Sequence, residues 1–149
     1  MKFDICLKDN NDLHQDDLSL SLGWFELSEK EVNLRLFNDR SCMIFITLAD
    51  LFEFLGYGEQ KRTRTFDWIG VDNGVTIKVV CDGSIVSISK GDIVVRLEKG
   101  IFVSAVLKGT EDFIARCLVA NQRVEEESAF LDLMATFNRV NSTFSPPSS

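Results

Sequence analysis

The stretch Val75-Thr76-Ile77-Lys78-Val79-Val80-Cys81-Asp82-Gly83-Ser84-Ile85-Val86-Ser87-Ile88-Ser89 decides the fold. Its odd positions Val75, Ile77, Val79 and Cys81 share one side, because successive side chains of a strand point to opposite faces. Asp82-Gly83 between two apolar runs is a hairpin signal, since a type I′ turn needs positive φ at both central residues. Lys90-Gly91-Asp92 turns the chain again into Ile93-Val94-Val95-Arg96-Leu97, which extends an antiparallel meander. Upstream, residues 63–69 begin that meander with Phe66 and Trp68 on one face. Beyond Gly100 the apolar residues Phe102, Ala105, Val106, Phe113 and Cys117 recur at threes and fours, the period of a helix laid back across strands.

The first half reads as a comparable set of elements. Residues 2–7 form a short strand with Phe3, Ile5 and Leu7 on one face, followed by a polar loop, 8–17, carrying Asp9, Asp12, Asp16 and Asp17 against one lysine. Leu18-Ser19-Leu20-Ser21-Leu22-Gly23-Trp24 alternates strictly, as a half-buried strand does. A turn at 28–30 leads to Val32, Leu34 and Leu36, and Asn38-Asp39 turns into Cys42-Met43-Ile44-Phe45-Ile46, which suits an interior strand. Thr47-Leu48-Ala49-Asp50 resembles a capping box opening a helix, whose apolar face is Leu48, Leu51, Phe52 and Leu55 and whose stop is Gly56. Near the C-terminus, Glu125, Glu126 and Glu127 suit the positive end of a last helix. That helix has Phe130, Leu131, Leu133, Met134 and Phe137 on its apolar side, and residues 141–149 are expected to fray.

The expectation is therefore one α+β domain over 1–140, mainly antiparallel sheets in approximate ββββα-ββββαα order, with helices packed on the sheet faces. Two halves, 1–56 and 63–121, are conceivable. Ile44-Phe45-Ile46-Thr47-Leu48 echoes Ile93-Val94-Val95-Arg96-Leu97, and Leu51-Phe52 falls about fifty residues before Ile101-Phe102.

Composition narrows the function classes. With 149 residues, 45% hydrophobic and 26% charged, the chain can bury a core without staples. The net charge of −7 argues against nucleic acid, whose phosphates attract Lys and Arg, and fits a basic partner or a solvated acidic surface. Cys6, Cys42, Cys81 and Cys117 are far apart, without CxxC pairs, and read as small buried hydrophobes, so neither zinc nor a disulfide framework is expected. The opening Met1-Lys2-Phe3-Asp4 lacks the apolar core of a secretion signal, and a cytoplasmic, reduced setting is expected.

No catalytic signature emerges. His14, the single histidine, lies in the acidic loop without a placed nucleophile and reads as a surface imidazole. Gly70-Val71-Asp72-Asn73-Gly74 lacks the Lys-Ser/Thr of a phosphate loop and reads as a turn. Lys61, Arg62 and Arg64 form the basic cluster of a solvated linker. Asp16-Asp17 and the Glu125 cluster need no metal, and no cofactor is expected. Trp24 and Trp68 lie on strands beside glycines and acidic residues, so each is either core or an interface anchor.

The Asp9/Asp12/Asp16/Asp17 loop, the Trp24 strand, the Asp82-Gly83 hairpin and the Glu125 helix start together resemble bacterial toxin-immunity proteins, including those of contact-dependent inhibition systems. The resemblance is one of size, acidity and element order. It implies a non-enzymatic inhibitor, monomeric or homodimeric, that presents carboxylates around an aromatic anchor to a basic, nuclease-type toxin. The contacts expected on that basis are Asp9, Asp12, Asp16, Asp17, Trp24, Glu125, Glu126 and Glu127. The two ββββα halves also resemble the Whirly-type arrangement, whose members bind single-stranded nucleic acid. A structural or adaptor module that self-associates through a strand edge or its Phe-rich helices is the other alternative.

Overall fold

The computed structural model describes residues 1–9, 21–37, 42–56, 63–71, 75–121 and 123–144. In chain order the elements are β1 (Lys2–Leu7), β2 (Leu22–Glu29), β3 (Val32–Leu36), β4 (Cys42–Met43), α1 (Ile44–Gly56), β5 (Thr63–Ile69), β6 (Thr76–Asp82), β7 (Ile85–Lys90), β8 (Ile93–Glu98), α2 (Lys99–Ala120), a 3₁₀ turn (Val124–Glu126) and α3 (Ser128–Phe144). The α+β class, the antiparallel sheets and the element order are those expected from the sequence. The second sheet is a plain meander, β5-β6-β7-β8. In the first, β1 flanks β2 on one side, while β3 and β4 pair with successive stretches of its other side. Phe37, at φ 63, turns the chain away between those two short edge strands.

Several local expectations need correction. Asp82 pairs with Ile85, so the turn is centred on Gly83-Ser84, and only Gly83 has positive φ (+59). The next hairpin repeats this with Gly91 at φ +57, and a glycine in the first central position is the type II′ pattern, not type I′. Of the alternating run at 18–24, residues 18–20 lie outside the described residues. β2 continues to Glu29 with the turn at Lys30, and it buries Gly23, Phe25 and Leu27 while Leu22 and Trp24 face outward.

Cys42 to Ile46 is not one strand. Met43 N–H donates to Val71 O and Ile44 N–H to Ser21 O, and the chain then winds into α1. Ile44, Phe45, Leu48, Leu51, Phe52 and Leu55 are buried at helical spacing, whereas a strand could not bury the neighbours Ile44 and Phe45 on one face. Thr47 is consequently inside the helix and not its cap. The echo of 44–48 in 93–97 thus matches a helix to a strand. At the C-terminus the three glutamates precede α3, in and just after the 3₁₀ turn. Leu131 is 52% exposed and Val140 takes its place in the core, with helix persisting through Phe144 where fraying was expected.

The inner faces of both sheets and all three helices share one core. At its centre Trp68 is fully buried, stacked on Phe25 (5.2 Å) and edge-on to Phe37 (4.9 Å), while Phe25 stacks in turn on Phe3 (5.5 Å). Its indole N–H donates to Thr47 O at 2.7 Å, so the ring that joins the two sheets also fixes α1. Thr47 returns the connection: its hydroxyl accepts from Val71 N–H at 3.2 Å, just beyond β5. At the far end of α1, Phe54 stacks on Phe66 (4.9 Å), and the Arg64 guanidinium lies over Phe54 and donates to its carbonyl. Helix and strand are held together at both ends.

α2 contacts β7 and β8 and also runs along the outer edge of β1. Lys8 N–H donates to Leu22 O, which sets the alternation that turns the carbonyls of Phe3 and Ile5 away from β2. Gly109 lets α2 approach Phe3 so closely that a methyl group there would collide with the Phe3 carbonyl oxygen. Arg116 donates to Ile5 O at 2.7 Å. The edge is thereby closed.

Gly109→Ala should gain about 1 kcal/mol of helix propensity but cost more through displacement of α2 from β1, for a net loss of about 1–3 kcal/mol. A denaturant midpoint equal to or above wild type would contradict this close approach. Thr47→Val preserves shape but strips Val71 N–H of its acceptor, and should lower unfolding free energy by about 1–3 kcal/mol in the same measurement.

Candidate functional site

Among the described residues, two concave regions gather three or more charged side chains each. One lies between β1 and α2, where Asp4, Cys6, Glu26, Asp112 and Arg116 line a cleft beside the outward face of the first sheet. Trp24 sits on that face, opposite Cys6 in the β1–β2 register. Its indole N–H donates to Glu26 Oε1 at 3.3 Å, and the Arg35 guanidinium lies 5.0 Å above its ring. Each carboxylate here has a cation: Asp4 with Lys2 (3.7 Å), Glu26 with Arg35 (3.1 Å) and Asp112 with Lys108 (3.2 Å). The Trp24 surface is electrostatically settled, and its aromatic ring is already covered by a partner.

The second is a groove of about 340 Å³ between α1 and α3. These helices run in the same direction: Phe52 meets Phe137 edge-on at 5.7 Å, and Gly56 lies beside Arg139 and Val140. Small side chains at Ala49, Ala129 and Ala135 keep the groove open over Phe45 and Ile46. Its rim carries Asp50, Glu53 and Asp132 with Arg139 as the cation. Unlike the carboxylates of the first cleft, these three make no ion pair with the described residues. Thr136 turns its hydroxyl back onto Leu133 O (2.9 Å) and does not neutralise them. Burial, and secondarily the Glu53 charge one turn on, hold the Asp50 carboxyl above its ordinary range. The protein therefore maintains a negative groove at some electrostatic cost.

The expected contact residues fall unevenly around these features. Asp12, Asp16 and Asp17 lie outside the described residues, as do His14, Lys61 and Arg62. Asp9 follows β1, at the end of the hairpin where Lys8 N–H and Leu22 O join the two strands. Glu125 and Glu126 are exposed in the 3₁₀ turn, where Arg123 lies 3.8 Å from Glu126. Glu127 O accepts the Leu131 N–H that starts α3, so this segment leads into the groove at Ala129. Trp24 and the glutamates thus belong to separate features, and Trp68 belongs to the core.

Asp50, Glu53 and Asp132 were not singled out by sequence because Asp50 already had an explanation as a capping carboxylate. The available signal was Asp50 and Glu53 at i,i+3, which places two like charges together on one side of an otherwise apolar helix, normally a small destabilisation.

Among the described residues, no three His, Cys, Asp or Glu side chains converge as metal ligands, so the groove carboxylates form a rim and not a chelate. The thiols are poorly placed for nucleophilic work. Burial pushes Cys42 up to about 11 and Cys117 up to about 12, and raises Cys81 and Cys6 as well, with Glu26 and Asp4 adding to the effect at Cys6. No described helix is long and apolar enough to cross a membrane. No family model, curated protein or solved structure matches the chain.

Because the Asp50 pKa is raised in the folded state, the fold binds that proton more tightly than the unfolded chain does. The resulting penalty is absent below the ordinary carboxylate value of 3.8 and complete above the folded pKa. Asp50→Asn should therefore raise the melting temperature near neutral pH, with the advantage closing as acid protonates wild-type Asp50. A gain that stays constant into acid, or a loss at neutral pH, would refute the electrostatic origin.

Proposed function

We propose that this chain acts by binding and not by chemistry, as an immunity-class inhibitor that neutralises a basic, nuclease-type toxin domain. The observation that supports this reading is the α1–α3 groove: three carboxylates without ion pairs to the described residues, arranged over an apolar floor. A lysine or arginine from a partner fits such a place by laying its aliphatic stem over Phe45 and Ile46 while its charged head meets Asp50, Glu53 or Asp132. The overall charge of −7 would accelerate encounter with a basic surface more than it would tighten the final complex. Glu125, Glu126 and Glu127 extend the negative surface along the chain leading into the groove.

A Whirly-like role at nucleic acid is less well supported. The exposed face of the second sheet carries Lys78 and Arg96 against Asp67, Asp82 and Glu98, a balance that repels phosphate.

The experiment screens the products of the genes flanking this chain's own for a basic domain that it captures, followed by association kinetics over a range of salt. Asp50→Lys/Glu53→Lys/Asp132→Lys should slow association by about tenfold or more and flatten its salt dependence. Reversing Asp9, Asp12, Asp16 and Asp17 to Lys should also slow capture, with unfolding free energy changed by no more than about 0.5 kcal/mol per substitution. An unchanged rate for the groove variant would remove the groove from the interface, and an unchanged rate for the loop variant would remove the loop. Failure of wild type to bind any such domain would end the inhibitor reading.

A further inference from the structure

The four sheet edges are treated differently. α2 covers β1 through Gly109 and Arg116, and Lys90 donates to Arg35 O on the outer side of β3 at 2.9 Å. β5 carries Thr63, Thr65 and Asp67 at outward-directed positions, with the one aliphatic, Ile69, at its end. Polar and charged groups of this kind discourage edge-to-edge pairing.

β8 carries charge on its outer face only in its second half, at Arg96 and Glu98, and no described residue covers its first half. Lys99 N–H donates to Ser84 O, and the register that continues from this bond directs the N–H and C=O groups of Val94 and Arg96 away from β7. None of these groups has a hydrogen-bond partner among the described residues. Ile93 lies on the inner side of the sheet yet is 54% exposed, and Val94 on the outer side is 56% exposed. Both sides of the strand's first half are apolar and open to solvent.

We propose that β8 pairs antiparallel with β8 of a second copy of this chain, joining two four-stranded sheets across a twofold axis at Val94. The pairing places Val94 against Val94 of the second copy and Ile93 against its Val95. It also brings Asp92, the turn residue just before the strand, close to Arg96 of the second copy, twice by symmetry, and neither residue has an ion pair among the described residues. Shifting the register two residues one way opposes Asp92 to Glu98, and four residues sets Arg96 against Arg96. Charge therefore selects the Val94-centred register. The open backbone of Val94 and Arg96 gains ladder hydrogen bonds, and Ile93 loses its exposure to water.

Sedimentation equilibrium over a dilution series tests this on the full chain. Wild type should show the mass of two copies at high concentration and dissociate on dilution. Arg96→Asp should raise the dissociation constant by about tenfold or more, since it turns two attractions into two repulsions. Val94→Lys should act in the same direction by bringing two lysines together on the axis. The swap Asp92→Arg/Arg96→Asp should restore association. Circular dichroism and melting of each variant separate loss of pairing from loss of fold. A monomer at every concentration, a dimer indifferent to these substitutions, or failure of the swap to restore it in a folded variant would overturn the proposal. Groove variants at Asp50, Glu53 and Asp132 should leave the mass unchanged, so the outcome is distinct from that of partner capture.

Discussion

The indole of Trp68 joins the parts of this protein that would otherwise be independent. Its ring fills the space between Phe25 and Phe37 of the first sheet, and its N–H reaches Thr47 O in α1. An aromatic side chain of this kind contributes about 3–5 kcal/mol when judged by its removal to alanine, more than any surface contact in the molecule could replace. Burying the N–H without an acceptor would itself be unfavourable, so the hydrogen bond determines which carbonyl, and hence which turn of α1, must lie over the ring. The Thr47–Val71 and Arg64–Phe54 contacts then hold α1 along β5. Once α1 is placed, α3 packs beside it through Phe52 and Phe137, and the groove is what remains between their N-terminal halves.

The other constraint concerns edges. An antiparallel sheet leaves a row of backbone donors and acceptors at each side, and among the described residues α2 meets the β1 edge and Lys90 the β3 edge. Gly109 is the clearest case, because a residue that weakens a helix is kept where only the lack of a side chain allows the helix to rest on a strand. On β8 the outward backbone of Val94 and Arg96 meets no such contact among the described residues, and β8 is also where aliphatic side chains are most exposed along a strand. The groove and this edge are separate surfaces, so binding a basic partner and pairing with another copy do not compete in principle.

Much of the architecture was legible because the second sheet is a simple meander, with alternating apolar positions and glycine-bearing turns. The spacing of Phe102, Ala105, Val106, Phe113 and Cys117 likewise revealed α2, and all five are buried. Reading failed where one string supports two periods. Cys42 to Ile46 is rich in residues that favour strands, and only the burial of both Ile44 and Phe45 shows that the helical period prevails. The alternation ending at Trp24 was real, but alternation alone does not say which face is buried; Phe25 and Leu27, just beyond it, decided this. The groove was harder to see because it joins Asp50 and Glu53 to Asp132, far along the chain, and a long-range juxtaposition leaves no mark in local pattern.

The carboxylates of the α1–α3 groove make no ion pair with the described residues of the free protein, and the proposed function has a positively charged partner supply one. The Asp50 carboxyl reports on this directly. Its titration can be followed through the side-chain carbon resonance by NMR, first in the free chain and then with the basic partner bound. The midpoint should lie above the ordinary aspartate range in the free protein and fall on binding, as a cation stabilises the ionised form. A midpoint that is the same in both states would show that the groove does not receive the partner's charge and would contradict the account.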